Sequence, residues 1–362
     1  MKLSQVIEEL TQERGLAKPV LTTIIAEGML AAYKKRYPEY ALQVEYNKKS
    51  DEIEIKTEKE VVSQVADETK EISLRKAKSF LDTAAVGDKI LVPFDQPIGR
   101  IEILKAKQII AQKIRAIEAT AVYEEFKPRE GAVIQGVVHK MERNGATVMI
   151  QDTLAFLPKS LMIPGEKIIV GYPIRALLKE VLPEPRNENQ LILDRTSADF
   201  LKKLFELEIP EIFEKLVEVK KVVRSAGYKA KVLVASNDKD IDPIGTCVGK
   251  GGSRIEPIRK ELNGEKIDII SPARTSEDLV KAALKPAVIN RVEMTDSQNA
   301  SVWLDDDQRS LAIGKGGQNI ELASQLTGIN IHLVKLEADS QNKHIEDQEV
   351  EETSSAYEDE VV

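Results

Sequence analysis

The sequence contains a glycine-rich stretch, Cys247-Val248-Gly249-Lys250-Gly251-Gly252-Ser253-Arg254-Ile255-Glu256. The same pattern returns sixty-five residues later as Ala312-Ile313-Gly314-Lys315-Gly316-Gly317-Gln318-Asn319-Ile320-Glu321. An internal repeat of this kind indicates two copies of one structural unit. The sequence around the two stretches should therefore show the same order of elements twice.

The same order of predicted helices and strands flanks both motifs. An amphipathic helix follows each loop and ends at a glycine, Gly264 or Gly328. The predicted strands lie at residues 217–223, 229–235, 266–270, 288–294, 301–305 and 330–334. The pattern predicts two α+β units, each in the order helix, strand, strand, helix, glycine loop, helix, strand.

The glycines and the lysine of each loop have the chemistry of a clamp for a phosphate backbone. Glycine has no Cβ, so it tolerates positive φ and lets successive N–H groups come close to phosphate oxygens. Lys250 and Lys315 each add a mobile cation. The paired motif resembles the GXXG loop of KH domains, which hold about four nucleotides of RNA. The candidate RNA-binding residues are Gly249, Lys250, Gly251, Gly252, Ser253 and Arg254 in the first loop, and Gly314, Lys315, Gly316, Gly317, Gln318 and Asn319 in the second.

The two motifs match other known glycine-rich phosphate-binding loops less well. A lone G-x-x-G is usually only a turn, but two copies in matching frames favour a functional loop. A Walker loop needs another glycine where Ile244 and Arg309 stand, and a dinucleotide-binding fingerprint needs one where Arg254 stands. The loops are therefore predicted to bind chain phosphates, and no cofactor is expected.

Charge is distributed unevenly along the chain. The net charge is −8, but residues from Glu337 onward hold ten acids and one lysine, which leaves +1 for the rest. Residues 220–260, here called the basic segment, hold ten Lys/Arg against four Asp/Glu. Such a segment is typical of surfaces that contact nucleic acid, although a solvated basic face would have the same composition.

Composition argues against several classes of protein. No apolar run approaches the roughly eighteen residues of a membrane-spanning helix, and residues 1–9 carry acids where a signal peptide is apolar. We therefore expect a cytoplasmic protein without a membrane partner. A single cysteine, Cys247, excludes an internal disulfide, and with three scattered histidines no metal site is expected.

Short β segments fill the region from residue 131 to about residue 196. The predicted strands lie at residues 132–139, 146–150, 155–157, 174–181 and 191–195. Five short strands over this length suit a small closed barrel of the OB type.

The part of the chain before the barrel predicts a mixed helical and β module. Apolar spacing indicates two helices, from Leu3 to Leu10 and from Leu21 to Tyr33. Strands are predicted at residues 42–46, 53–55 and 89–93, followed by one long helix over residues 100–126.

The barrel region resembles the S-one RNA-binding domain. The similarity is carried by residues 136–148, and by Ala155-Phe156-Leu157-Pro158-Lys159-Ser160. The resemblance implies that His139, Arg143 and Phe156, together with Arg175, lie near nucleic acid. Each of these four could equally be a surface or core residue.

The order of the modules resembles the NusA family of bacterial transcription factors. Beyond the loops, the similarity includes Arg195-Thr196-Ser197, Ile209-Pro210-Glu211-Ile212, Ile241-Asp242-Pro243-Ile244-Gly245 and Leu322-Ala323-Ser324-Gln325-Leu326-Thr327-Gly328. The resemblance implies a non-enzymatic elongation factor that binds RNA polymerase through its N-terminal module and single-stranded nascent RNA through the barrel and KH pair. Effects on pausing, termination and antitermination would follow, with other antitermination factors as partners and a monomer as the expected state.

The predicted fold class is multidomain α+β, in five parts. The resemblance implies a mixed α/β N-terminal RNA-polymerase-binding domain with a long connecting helix (1–128), an OB-type S-one β-barrel (131–197) and two tandem type II KH domains (198–275 and 276–338). The last part is too polar to bury a core, so its composition predicts a disordered acidic tail (339–362).

Two other functions use similar modules. Polynucleotide phosphorylase, an RNA-degrading enzyme, also carries KH and S-one domains, but its KH domain precedes the barrel, and the N-terminal residues here are too few for its catalytic core. An accessory role in ribosome assembly or translation would need the same RNA-binding chemistry. Co-purification with RNA polymerase rather than with ribosomal subunits would favour the transcription factor.

Overall fold

A computed structural model describes residues 8–12, 16–47, 52–186 and 189–335. The predicted acidic tail, and Leu3, Val6 and Ile7 of the first predicted helix, lie outside these ranges. The chain forms two compact units, Met1–Glu124 and Glu125–Val362. Within the described ranges, no helix combines the length and the apolar character needed to cross a bilayer.

The first unit contains helices and a four-stranded sheet. Its elements are α1 Lys18–Arg36, β1 Leu42–Asn47, β2 Glu52–Val62, β3 Glu71–Ser73, α2 Leu74–Ala77, β4 Lys89–Pro93 and α3 Arg100–Phe126, whose last turn enters the second unit. Strand β2 pairs antiparallel with β1 and β4, and parallel with β3. The long helix has its predicted bounds. The sequence pattern misses β3 and α2, because three- and four-residue elements are too short to show a period.

Gly28 lies where two helices of this unit approach each other closely. A Cβ at Gly28 would lie 2.4 Å from Ile110 Cγ1, so glycine lets α1 lie against α3 at this point. Leu21 and Ile24 on α1 join Ile114 on α3 in a buried apolar cluster. This packing gives the long helix a firm contact in its own unit.

The second unit begins with a five-stranded closed barrel. Its strands are β5 Val133–Glu142, β6 Gly145–Ile150, β7 Thr153–Pro158, β8 Pro173–Arg186 and β9 Asn189–Asp194. They close in the order β5-β6-β7-β9-β8, with β7 and β9 parallel and the other neighbours antiparallel. The predicted OB-type barrel is confirmed.

Two α+β domains follow the barrel. The first consists of α4 Ala198–Glu208, α5 Pro210–Phe213, β10 Val217–Ser225, β11 Lys229–Ser236, α6 Pro243–Val248, α7 Ile255–Glu261 and β12 Lys266–Ile270. The second consists of α8 Ser276–Ala283, β13 Arg291–Met294, β14 Asn299–Leu304, α9 Asp306–Ile313, α10 Gln318–Thr327 and β15 Asn330–Lys335. In each, the middle strand pairs antiparallel with the preceding strand and parallel with the last. The predicted order of elements, that of type II KH domains, is confirmed in both.

The three modules of the second unit share apolar cores. Ile163 and Leu177 of the barrel belong to the same buried cluster as Phe200 and Leu204 of the first KH domain. Val223 and Ile270 of the first KH domain belong to the cluster of the second. Neighbouring modules therefore bury apolar surface in common, which favours their packing as one block.

Candidate nucleic-acid interface

The two glycine loops have nearly the same backbone geometry. The φ angles of the first loop are 73°, 63° and 80° at Gly249, Gly251 and Gly252. The second loop has φ angles of 73°, 61° and 78° at Gly314, Gly316 and Gly317. Side chains with a Cβ rarely adopt positive φ, so the backbone favours glycine at all six positions.

The middle of each loop faces open space. A Cβ at Gly251 or Gly316 would meet no heavy atom within 4 Å, apart from the adjoining residues. Lys250 and Lys315 are exposed. A phosphate chain can therefore approach both the backbone and the ammonium group of each loop without first displacing protein atoms.

The residues after the glycines are placed differently in the two copies. Ser253 is exposed and Gln318, at the same position of the second motif, is half-buried. The half-buried Arg254 donates from Nη1 to the Thr246 carbonyl at 2.8 Å. Arg254 therefore braces the end of α6 rather than pointing freely from the loop.

Asn319 does not lie among the accessible loop residues, contrary to the prediction. Only 3% of it is exposed. Its Nδ2 donates to the carbonyls of Leu284 and Ala312, each at 3.1 Å, and its Oδ1 accepts from Lys229 Nζ at 2.9 Å. These internal hydrogen bonds occupy the amide, so it is not available to contact RNA.

Part of the charge in the basic segment is neutralised inside the fold. Arg224 pairs with Glu265, and both side chains are almost fully buried. Lys229 and Lys231 share the carboxylate of Asp268 at 2.7 and 2.8 Å. Burial lowers the pKa of Lys231, although Asp268 opposes the shift. The count of basic residues in the sequence therefore overstates the charge that faces solvent.

Three of the predicted barrel residues lie on one part of the barrel, formed by β5, β6 and β7. His139 is exposed at a bulge in β5, and Arg143 is exposed in the turn to β6. Phe156 on β7 is half-buried, and a Cβ at Gly145 would lie 2.8 Å from its ring. This part of the barrel thus combines an aromatic ring with a cation, as nucleic-acid-binding OB surfaces do.

Arg175 faces the first KH domain instead. Its guanidinium donates to Glu208 at 2.8 Å and to Glu261 at 2.9 Å. Burial disfavours its charge, but the two carboxylates outweigh burial and raise the pKa of Arg175. The placement near nucleic acid that the resemblance implied for Arg175 is therefore unsupported, because its donors are engaged within the protein.

A second arginine, Arg195, joins the barrel to the first KH domain, a role that was not predicted from the sequence. Arg195 is 5% exposed and binds Glu166 of the barrel at 2.8 Å and Glu261 of α7 at 2.7 Å. Arg195 also donates to the carbonyls of Glu261, at 2.9 Å, and Arg175. No local pattern marks such a residue, because its carboxylate partners are distant in sequence.

The buried lysines of β11 were also missed, although one signal points to them. Lys229 and Lys231 are two residues apart on a strand, so their side chains share one face of the sheet. Their neighbours on that strand are apolar, which favours burial of the strand. Two lysines on one face of a buried strand require carboxylate or amide partners from other elements.

Metal ligands do not cluster in the part of the chain that the structure describes. No group of three or more His, Cys, Asp or Glu residues there has an arrangement suited to a metal ion.

Three family models match the sequence. The NusA N-terminal domain matches residues 2–120, the NusA-like first KH domain matches residues 195–272, and the NusA-like second KH domain matches residues 276–341. The two KH matches contain the two glycine loops.

Relatives match nearly the whole chain. The transcription termination/antitermination protein NusA of Rickettsia conorii is 35% identical over 357 residues, which cover 96% of this chain and 70% of that protein. The protein of the same name from Bacillus subtilis (strain 168) is 34% identical over 355 residues, covering 96% of this chain and 95% of that protein. The solution structure of the N-terminal domain of NusA from B. subtilis is 28% identical, covers 32% of this chain and 95% of that chain, and has a TM-score of 0.26. The identity and extent of the matches to the Rickettsia conorii and Bacillus subtilis proteins show that this chain belongs to the NusA family of transcription termination/antitermination proteins.

Proposed function

We propose that the two glycine loops hold single-stranded nascent RNA while the N-terminal module binds RNA polymerase, so that the chain modulates pausing, termination and antitermination. The observation that carries this proposal is the duplicated loop, with left-handed glycines, open space and an exposed lysine in each copy. KH domains bind RNA through such loops. As a member of a family of transcription factors, the chain is not an enzyme.

The proposed RNA contacts are those loop atoms that remain accessible. Backbone amides around Gly251 and Gly316 would bind phosphate oxygens, and Lys250 and Lys315 would supply charge-assisted contacts. The barrel would add a stacking and basic surface. The further proposed contacts are Gly249, Gly252, Ser253, Gly314, Gly317, Gln318, His139, Arg143 and Phe156.

The proposal assigns one role to each part of the chain. Residues 1–128 would contact polymerase, and residues 131–197, 198–275 and 276–338 would contact RNA. The protein would act in the cytoplasm as a monomer, together with other antitermination factors. We assign polymerase binding to the N-terminal unit because the residues of that unit that the structure describes include no phosphate-binding loop.

RNA binding is tested by reversing the loop charges. Lys250→Asp combined with Lys315→Asp should weaken binding to a single-stranded RNA oligonucleotide and flatten the slope of log affinity against log salt by roughly 0.7 per lost phosphate contact. The matched control is Lys221→Asp with Lys266→Asp, which changes two exposed lysines outside the loops by the same total charge. Equal losses in the two variants would contradict a specific role for the loops.

Polymerase binding is tested by removing residues 1–128. The remaining unit should keep its RNA affinity and lose binding to RNA polymerase. Retention of polymerase binding would show that the proposed division is wrong. Association of the full chain with ribosomal subunits alone, in fractionated extract, would instead favour a role in ribosome assembly or translation.

A further inference from the structure

We propose that Lys229 and Asn319 form a positioning pair through which the first KH domain fixes the geometry of the second glycine loop. The proposal rests on the RNA-binding role proposed above for that loop. It concerns two buried side chains from different domains, neither of which would touch RNA.

Asn319 lies directly behind the second loop. It occupies the first turn of α10, immediately after the glycines, and its Nδ2 donates to the Ala312 carbonyl at the end of α9 at 3.1 Å. A Cβ at Gly314 would lie 2.7 Å from Asn319 Cβ, so the first glycine of the loop packs against this side chain. Asn319 thereby joins the helix before the loop to the helix after it.

The amide oxygen of Asn319 is bound by a residue of the first KH domain. Lys229 on β11 donates from Nζ to Asn319 Oδ1 at 2.9 Å. The same Nζ lies 2.7 Å from Asp268 Oδ2 on β12, which fixes its position. A line of polar contacts therefore runs from the sheet of the first KH domain, through Lys229 and Asn319, to the loop of the second.

The first loop is braced within its own domain instead. Arg254 stands at the motif position of Asn319, and it binds the carbonyl of Thr246 and lies 2.9 Å from Glu211 Oε2. Both partners belong to the first KH domain. A change at Lys229 should therefore affect the second loop and spare the first.

Because Lys229 and Asn319 are both buried, their proposed effect on RNA binding is indirect. Lys229 is 7% exposed and Asn319 is 3% exposed. Loss of the pair should lower RNA affinity by loosening the loop, while the number of lysine–phosphate contacts, and so the salt slope, stays the same.

The test uses Lys229→Met in the full chain. This variant removes the donor to Asn319 but leaves Asp268 paired with Lys231 at 2.8 Å, so it does not strand a buried carboxylate. Hydrogen exchange is compared at two matched amides: Gly317 N–H, which donates to Gly314 O, and Gly252 N–H, which donates to Gly249 O. We expect faster exchange at Gly317 alone, and a loss of RNA affinity of roughly three- to ten-fold, as for one hydrogen bond, with an unchanged salt slope.

Two further variants keep the test decisive. Lys229→Arg retains a cationic donor and should restore slow exchange at Gly317. Asn319→Asp keeps an acceptor for Lys229 but loses the N–H donors, so it should speed exchange at Gly317 even if Lys229→Met does not fold.

Several results would overturn the positioning pair. These are equal acceleration at Gly317 and Gly252, no acceleration at either, a salt slope reduced by roughly 0.7, or selective acceleration without any loss of affinity. Failure of the proposed function would look different, because the unchanged protein would then bind no single-stranded RNA while the exchange results could still be read.

Discussion

The two glycine loops share a backbone but differ in what holds them. Their glycine φ angles agree within a few degrees, and both carry an exposed lysine. Yet Arg254 braces the first loop within its own domain, whereas Asn319 braces the second through Lys229 of the neighbouring domain. A repeated motif thus fixes the shape of a loop, while the residue behind it decides which part of the protein supports that shape.

The same difference extends to how each KH domain is attached. Buried arginine–glutamate pairs join the first domain to the barrel, and an apolar cluster with the Lys229–Asn319 bond joins the second to the first. The first KH domain therefore has neighbours on two sides. Changes at its attachment to the barrel should cost more stability than changes at either loop.

The largest effect is expected at that attachment. Arg195→Met leaves Glu166 without its arginine and removes one of the two arginines that bind Glu261; the two glutamate side chains are only 7% and 17% exposed. Breaking a buried ion pair from one side costs about 3–5 kcal/mol. Urea unfolding of the variant and the wild type measures the difference in the free energy of unfolding. A loss below 1 kcal/mol would mean that the barrel and the KH domain are held by their apolar contact alone.

A smaller effect should distinguish the first glycines of the two loops. Both have φ of 73° and extended ψ, a region that strains any other residue by about 1–3 kcal/mol. An added Cβ at Gly249 meets the Arg254 side chain at 2.9 Å, whereas at Gly314 it meets buried Asn319 at 2.7 Å. Gly314→Ala should therefore lose about 1 kcal/mol more stability than Gly249→Ala, since Asn319 cannot move aside.

The free energies of unfolding of Gly314→Ala and Gly249→Ala are compared by thermal and urea unfolding. Equal losses would indicate that backbone strain alone sets the cost. A larger loss in Gly249→Ala would contradict the difference in support between the loops.

Removal of the brace of the first loop should cost less still. Arg254→Met loses one hydrogen bond, to Thr246, and a partly exposed contact with Glu211 that lacks hydrogen-bond geometry. We expect a loss of about 1 kcal/mol. Exchange at Gly252 should rise while exchange at Gly317 stays constant, the reverse of the result expected for Lys229→Met. Acceleration at Gly317 would mean that the loops are coupled in both directions.

The smallest effect concerns Cys247, which stands where the second repeat has Ala312. Burial raises the pKa of the Cys247 thiol from 9.0 to about 12. The folded state therefore keeps a proton that the unfolded state releases. The resulting stability is present below pH 9 and is lost as the pH rises toward the folded value.

Cys247→Ala makes the first repeat like the second and removes this titration. Between pH 7 and pH 9 the free energy of unfolding of the wild type should fall by about 0.4 kcal/mol relative to the variant. Urea unfolding at both pH values provides the comparison. A constant difference would show that the thiol titrates alike in the folded and unfolded states.

Structural features set by neighbouring residues were predicted from the sequence, whereas features that depend on contacts between distant residues were not. The long helix over residues 100–126 and the strands around both loops were predictable, because apolar period and glycine position are local signals. Strand β3 was not predictable, since its three residues are a strand only through pairing with β2. The internal contacts of Arg175 and Asn319 were not predictable, because a polar residue beside a candidate site has the same sequence whether it faces solvent or the interior.

The family, the order of the modules and the two glycine loops can all be recognised from the amino-acid sequence. Positive φ at those glycines is a requirement of single residues, and strand alternation is a requirement of neighbours, so both are visible in a short window. Which charges of the basic segment face solvent, and which residue supports each loop, depend instead on how the domains fold and pack. Those outcomes depend on pairs such as Lys229 with Asn319, which lie ninety residues apart in the sequence and belong to different domains.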